Sequence, residues 1–304
     1  MANNNGWTHT YHAEANALSG SLRLPVEQKI KPQAFAKFRD THDGYFSEQA
    51  KPYRLEGIIS FQSAYTQASG HRSAKPGHGF VTLATAAVEK LNVLEVVTAD
   101  RVVAQISTEH PEGAKGQERE GAPSVTFLGT HFDNLRIAGH KVEVDLNLGL
   151  VGNRPVGDGL YISPNSDFMS AVSSLYDNLK KSLERLTDED KKMEGRKDLP
   201  ALFEEKYCQG LLDPAPIAKG DKDAKVECSL VTKVEMAGVG KSFGHVIQVP
   251  NFGKIFLAEL TVSHDKDKHA TFNLTMIRLE LGCIADGTAG FGNCVVNGKG
   301  SGGH

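Results

Sequence analysis

The run "HDKDKH" gathers His264, Asp265, Asp267 and His269 within one short stretch, and imidazole nitrogens with carboxylate oxygens are the ligands that divalent cations accept. Lys266 and Lys268 alternate with them, so their charge opposes a bound cation. The four residues are therefore weak metal candidates. The remaining histidines of the twelve are scattered. His9 and His12 are three apart and point to opposite faces of a strand. His71 and His78 flank "RSAKPG", and His131 and His140 bracket one strand of a hairpin. Neither HxH nor HExxH occurs, and a catalytic zinc usually needs three protein ligands held rigidly. A metal centre would have to be assembled by folding.

Other reactive patterns are thinner. "AGVGKS" (237–242) has the tail of a phosphate-binding loop, but Glu235 stands where its first glycine belongs. The following "FGHVIQV" reads as a strand where that loop needs a helix. A glycine-rich turn is the better reading. No GxSxG elbow is present, and neither "YCQG" nor "GCIAD" matches a cysteine-nucleophile signature. Glu204–Glu205 and Asp188–Glu189–Asp190 read as solvated helix faces. A glycosidase pair drawn from distant strands stays open, because the spacing that matters is spatial. The four cysteines, Cys208, Cys228, Cys283 and Cys294, form no CxxC. The expectation is reduced, partly buried thiols. Cys283 with Cys294, or Cys208 with Cys228, remain possible bridges in an oxidising compartment. No catalytic residue and no cofactor is assigned.

Period-two patterning dominates the elements that would carry such groups. In "KVEVDLNLGL" (141–150), Val142, Val144, Leu146, Leu148 and Leu150 share one face, and Lys141, Glu143, Asp145 and Asn147 the other. Its polar face reads as solvated, with a sugar-reading surface around Asn147 as the sharper alternative. "LEGIISF" (55–61), "VLEVVTADRVVAQIS" (93–107), "KVECSLVTKVEM" (225–236) and "KIFLAELTV" (254–262) are β-rich in the same way. In "TFNLTMIRLEL" (271–281) the phase slips: Phe272, Leu274 and Met276 share one face, and Ile277, Leu279 and Leu281 the opposite one. A bulge near Met276–Ile277 or a strand buried on both faces would explain it. "RIAGHKV" (136–142) and "TVSHDKDKHATF" (261–272) read as hairpins, and "PEGAKGQEREGAP" (111–123) as a flexible loop.

One region departs from this pattern. Phe168, Val172, Leu175, Leu179, Leu183 and Leu186 recur at helical spacing. Asn165 or Ser166 is a plausible N-cap with Asp167 in the first turn. Thr187 and Asp190 suggest the cap of a second short helix, and "LPALFEEKY" (199–207) a third.

Composition excludes several classes. Among 304 residues, Lys plus Arg number 34 and Asp plus Glu 37, for a net charge of -3, without the basic excess of a nucleic-acid binder. No apolar run approaches the roughly 20 residues that cross a bilayer. The N-terminal "MANNNGWTHTYHAEANALSG" lacks a signal-peptide pattern. A cytoplasmic location is expected as written, or an extracytoplasmic one if an export signal has been removed.

"VTFLGTHFDNLRIAGHKVEVD", "TFNLTMIRLELGCIADGTAGFGNCVVNG" and the upstream "LEVVTADRVVAQIS" together resemble bacterial choice-of-anchor-type surface β proteins. The similarity covers about a third of the chain. It implies a secreted or wall-associated β-sandwich without assigned catalysis, and carries over no site residue. The chain departs from that pattern in lacking a signal peptide and an evident anchor, and in its helical insert.

The expected fold is mainly β: an antiparallel, jelly-roll-like β-sandwich over residues 1–304, with an α-helical insertion at about 163–210 and a flexible tail at 298–304. The expected function is a non-enzymatic structural or binding module. It would bind a glycan, a protein, or copies of itself through the apolar stripe of the insertion, as a homo-oligomer. A metal-dependent hydrolase or jelly-roll oxygenase and a fibre or shell subunit are the alternatives.

Overall fold

Strands with one dry face bury it by stacking sheet on sheet, and this chain does so with two large antiparallel sheets. The computed structural model describes residues 8–301 apart from 26, 77, 112–121, 156–159, 164, 193–223, 239–240, 266–268, 283–284 and 298. In the nine-stranded sheet the row runs β15 (Lys241–Phe243), β16 (Val246–Val249), β17 (Gly253–His264), β18 (Ala270–Leu281), β19 (Asp286–Asn297), β1 (Thr8–Leu24) and β2 (Gln28–Asp40). Strand β13 (Ala224–Ser229) pairs with the second half of β17, and β20 (Lys299–Ser301) with the start of β1. The tail expected to hang free is thus strand over Lys299–Ser301.

The eleven-stranded sheet is centred on β7 (Phe80–Val93) and β8 (Val97–His110). On one side lie β6 (Ser63–Arg72) and β3 (Gly44–Ala50), with the small hairpin of β4 (Tyr53–Leu55) and β5 (Ile59–Phe61) at the end of β7. On the other, β9 (Ser124–Thr126), β10 (His131–Asp133) and β11 (Arg136–Ile137) pair with successive stretches of β8. Strands β12 (His140–Leu146) and β14 (Val231–Met236) continue the sheet. The segment 225–236, which reads as one strand, is divided at Leu230: β13 belongs to the first sheet and β14 to the second.

The two sheets meet over small side chains. Ala13, Ala15 and Ala36 from one, and Ala68, Ala84, Ala86 and Ala104 from the other, are fully buried. At Gly70 a Cβ would fall 2.2 Å from the Tyr11 ring, so only glycine admits that ring.

The phase slip in β18 has a wider cause than a local bulge. Pairing of β18 with β17 and with β19 keeps its register through Met276. The buried face nevertheless changes phase at this level in several strands at once: at Leu257/Ala258 in β17, Met276/Ile277 in β18 and Phe291/Gly292 in β19. Strand β1 changes at Ala17, which stands opposite Gly292 by register. In alternate strands the level is marked by left-handed backbone: Ala258 (φ 47), Gly292 (φ 62) and Ala34 of β2 (φ 49). The sheet is creased along one line, and the expected bulge in β18 is replaced by a matched step across β17, β18, β19 and β1.

Two apparent strands are hairpins. In 55–61, Glu56 and Gly57 have φ 46 and 71, and Ile58 N donates to Leu55 O at 2.7 Å. In 93–107, Leu94 and Glu95 (φ 52 and 59) turn the chain between β7 and β8. Ala138–Gly139 turns it between β11 and β12, as expected, with Ala138 also left-handed at φ 50. Paired positive φ values give the type I′ geometry that matches strand twist.

Helix α1 spans Asp167–Lys192 in one piece, so Thr187 sits inside it and does not cap a second helix. Ser166 is the N-cap: its Oγ accepts from Met169 N at 3.1 Å. Phe168 and Val172 are fully buried and Met169 and Tyr176 nearly so. Each full burial contributes about 1.5–3 kcal/mol. The Tyr176 hydroxyl donates to Glu227 O of β13 at 2.8 Å. This half of the apolar stripe packs on the chain's own sandwich. Leu183 and Leu186, by side chain, and the segment 199–207 lie outside the described residues.

Candidate functional site

The "HDKDKH" residues do not assemble into one centre. His264 is buried at the end of β17, and its Nε2 accepts from Tyr161 N at 3.1 Å. Asp265 and His269 face each other across the hairpin, with Oδ2 to Nδ1 at 3.1 Å and Oδ1 accepting from His269 N at 2.9 Å. Asp267 lies outside the described residues. Among the described residues no three His, Cys, Asp or Glu side chains converge as a metal would require. Cys228 and Cys294 are buried free thiols, while Cys208 and Cys283 lie outside the description.

The polar face of β12 is a ladder of compensated charge. Lys141 bonds Glu143 at 2.7 Å, Lys233 bonds Glu235, and Asp145 stands opposite Lys233. Asn147, the candidate sugar contact, accepts from Gly149 N at 3.1 Å and closes the turn that ends the strand.

The outer face of the nine-stranded sheet is built differently. Above the crease, cross-strand pairing sets Phe35 (β2), Asn16 (β1), Asn293 (β19), Thr275 (β18) and Glu259 (β17) in one row. Residues directly opposite on neighbouring strands share a face. The next row is Lys37, Glu14, Val295, Asn273 and Thr261. Asn293 Nδ2 donates to Asn273 Oδ1 at 2.6 Å and to Thr275 Oγ1 at 3.0 Å, tying the two rows together. Asn16 is only 9% exposed, and its Oδ1 has no hydrogen-bond partner among the described residues. A buried polar atom left in that state costs on the order of 1–3 kcal/mol, a cost that a ligand donor would relieve. Phe35, at the end of the row, is 41% exposed.

The charges on this face are compensated too. Burial alone would raise the Glu14 carboxyl, but hydrogen bonds from Lys37 at 2.6 Å and His12 at 3.0 Å outweigh it and hold the group below its ordinary value. Arg278 grips Glu259 through Nε (2.6 Å) and Nη2 (2.9 Å) and reaches Glu280 through Nη1 (2.6 Å). Its guanidinium lies 3.6 Å from the centroid of the Phe256 ring. Both carboxylates are thereby held in charge-assisted hydrogen bonds to one guanidinium. What remains is a flat surface of amides and hydroxyls with an aromatic ring at one end.

The strand phases already show Asn273 and Thr275 facing away from Phe272 and Leu274. The row itself could not be read from sequence, because Asn16 and Asn293 meet only when the first long strand pairs with the last.

A model of one protein family, described as a domain of unknown function (DUF8256), matches residues 9–263. No curated protein matches the chain, and no solved structure does. The match takes in most of both sheets and the helical insertion. The chain belongs to the DUF8256 family.

Proposed function

We propose that the protein is a non-catalytic binding β-sandwich that lays an extended, uncharged glycan across the outer face of its nine-stranded sheet. The carrying observation is the row Asn16–Asn293–Thr275, with the buried, unpartnered Oδ1 of Asn16 inside it. Amides and hydroxyls offer donors and acceptors to sugar hydroxyls without selecting for charge. Neighbouring strands lie about 4.8 Å apart, close to the length of one hexopyranose unit, so a chain crossing the strands meets one strand per sugar. Phe35 supplies a platform for the apolar face of a ring at the edge. The neutralised Glu14 and Glu259 favour retention of the chain over its cleavage.

Calorimetric titration with cellohexaose, xylohexaose and chitohexaose tests the reading, with hexagalacturonate as the charged counterpart. At least one neutral hexasaccharide is expected to bind, and to bind more tightly than the uronate. Phe35→Ala should weaken it about tenfold, the scale of a lost aromatic contact. Asn293→Ala should weaken it by a comparable factor. If no neutral hexasaccharide binds at millimolar concentration, or if neither substitution matters, the proposal fails.

A further inference from the structure

A second feature lies where α1 leans over the corner between β13 and β14, beyond the Glu259 end of that row: Ser229 stands opposite Glu259, and His245 Nε2 lies 3.9 Å from its Oε1. A cleft of about 310 Å³ opens there, at the small end of the range for ligand sites. Leu175 and Leu179 of the helix form its roof, Val231 and Val234 of β14 one wall, and Phe243 of β15 and Cys228 of β13 the remainder.

The polar groups around the cleft are mostly engaged by the protein itself. Ser229 Oγ donates to Leu257 O at 2.8 Å and accepts from Val231 N at 3.0 Å. Thr232 Oγ1 donates to Asp145 O at 3.2 Å, and the Tyr176 hydroxyl is committed to Glu227 O. Burial pushes the Cys228 thiol well above its ordinary value, so it presents a neutral S–H and not a reactive thiolate. Lys233, on the rim, is bonded to Glu235, with Asp145 and Glu143 also near it. Asn178, Ser242 and His245 complete the polar part of the lining, with His245 Nε2 3.9 Å from Glu259 Oε1.

We infer that this cleft binds a small neutral molecule, a single ring or a short branched alkyl group, carrying at most one hydrogen-bonding substituent. The walls offer hydrocarbon and ring surface interrupted by hydroxyl and amide groups, and among the described residues no carboxylate lines them. An anion would meet Lys233 already paired with Glu235. A cation would lose its water in a cleft that supplies no countercharge. The occupant would also tie the helix to the sheets. The roof touches the floor at Gly244, where φ is +55 and a Cβ would fall 2.4 Å from Leu179 Cδ2. A ligand beside that contact adds a second point of attachment for α1.

Fluorine NMR with three molecules of one size tests this: 4-fluorotoluene, 4-fluorobenzoate and 4-fluorobenzylammonium. The neutral compound should bind, and each ion should bind at least tenfold more weakly. Val234→Phe and Ser242→Phe, which fill the cleft from different walls, should each cut the neutral compound's affinity at least tenfold. Phe35→Ala, at the opposite end of the row on β2, should leave it unchanged, so this result is independent of the glycan titration. Hydrogen exchange should slow in residues 167–179 when 4-fluorotoluene is added. The inference is overturned if 4-fluorotoluene does not bind up to its solubility. It is equally overturned if the ions bind as tightly, or if both filling variants, folded by circular dichroism, bind it undiminished.

Discussion

The outer faces of the two sheets solve the same problem with different chemistry. On β12 and β14 the outward residues are Lys141, Glu143, Asp145, Lys233 and Glu235, each compensated by a neighbour and each in water. On β1, β19 and β18 they include Asn16, Asn293, Thr275 and Asn273, beside a Glu14 held by Lys37 and His12. A charged ladder keeps a face solvated and discourages pairing with another sheet. A neutral amide surface does neither so well, and one of its amides is buried without a partner.

Substitutions on the two faces should separate them. The largest effect is expected at Arg278→Met, which leaves Glu259 part-buried without its bidentate partner. A loss of about 2–4 kcal/mol in a urea titration is the scale for breaking such a pair. A loss under about 0.5 kcal/mol, typical of an exposed pair, would put the amide sheet's charges on the same footing as the ladder's.

A smaller, pH-dependent effect is expected at Glu14. Its carboxyl is lowered in the folded state, so the stability it contributes is present at neutral pH. That stability is lost as the pH falls through and below the ordinary carboxylate range. Glu14→Gln should therefore cost stability at pH 7, and the gap to the parent protein should close on acidification. A gap that stays constant with pH would trace the loss to packing and not to charge.

The smallest effect belongs to the ladder. Lys233→Ala and Glu143→Ala should leave the urea midpoint and hexasaccharide binding where they are, since both side chains lie more than half exposed. A clear loss of sugar binding in either variant would move the binding face to the other sheet.

Much of the architecture was legible in local pattern. Alternation marked the strands, and the spacing of Phe168, Val172, Leu175 and Leu179 marked the helix that covers the corner. What escaped has physical reasons. The turn at Leu94–Glu95 contains neither glycine nor asparagine, so no residue type announces its positive φ values. The division of 225–236 between sheets depends on which partners β13 and β14 find, which their own sequence does not encode. Of the site, the outward phase of Asn273 and Thr275 could be read, but the row needed register, and the cleft needed the helix docked. In the histidine cluster at 264–269, neighbours in sequence are parted by the hairpin: His264 is buried beside Tyr161, while Asp265 and His269 bond each other.

The crease through Ala34, Ala17, Gly292, Met276 and Ala258 also limits how such a chain can vary. A strand that lost or gained one residue on either side of it would fall out of step with its neighbours and turn alternate apolar groups into water. Loops in this scaffold are free to lengthen, whereas an added residue in a strand that crosses the line has to be absorbed as a local bulge, as β2 does against β1 between Leu18 and Gly20. The spacing of residues along one panel is thereby insulated from drift in the other.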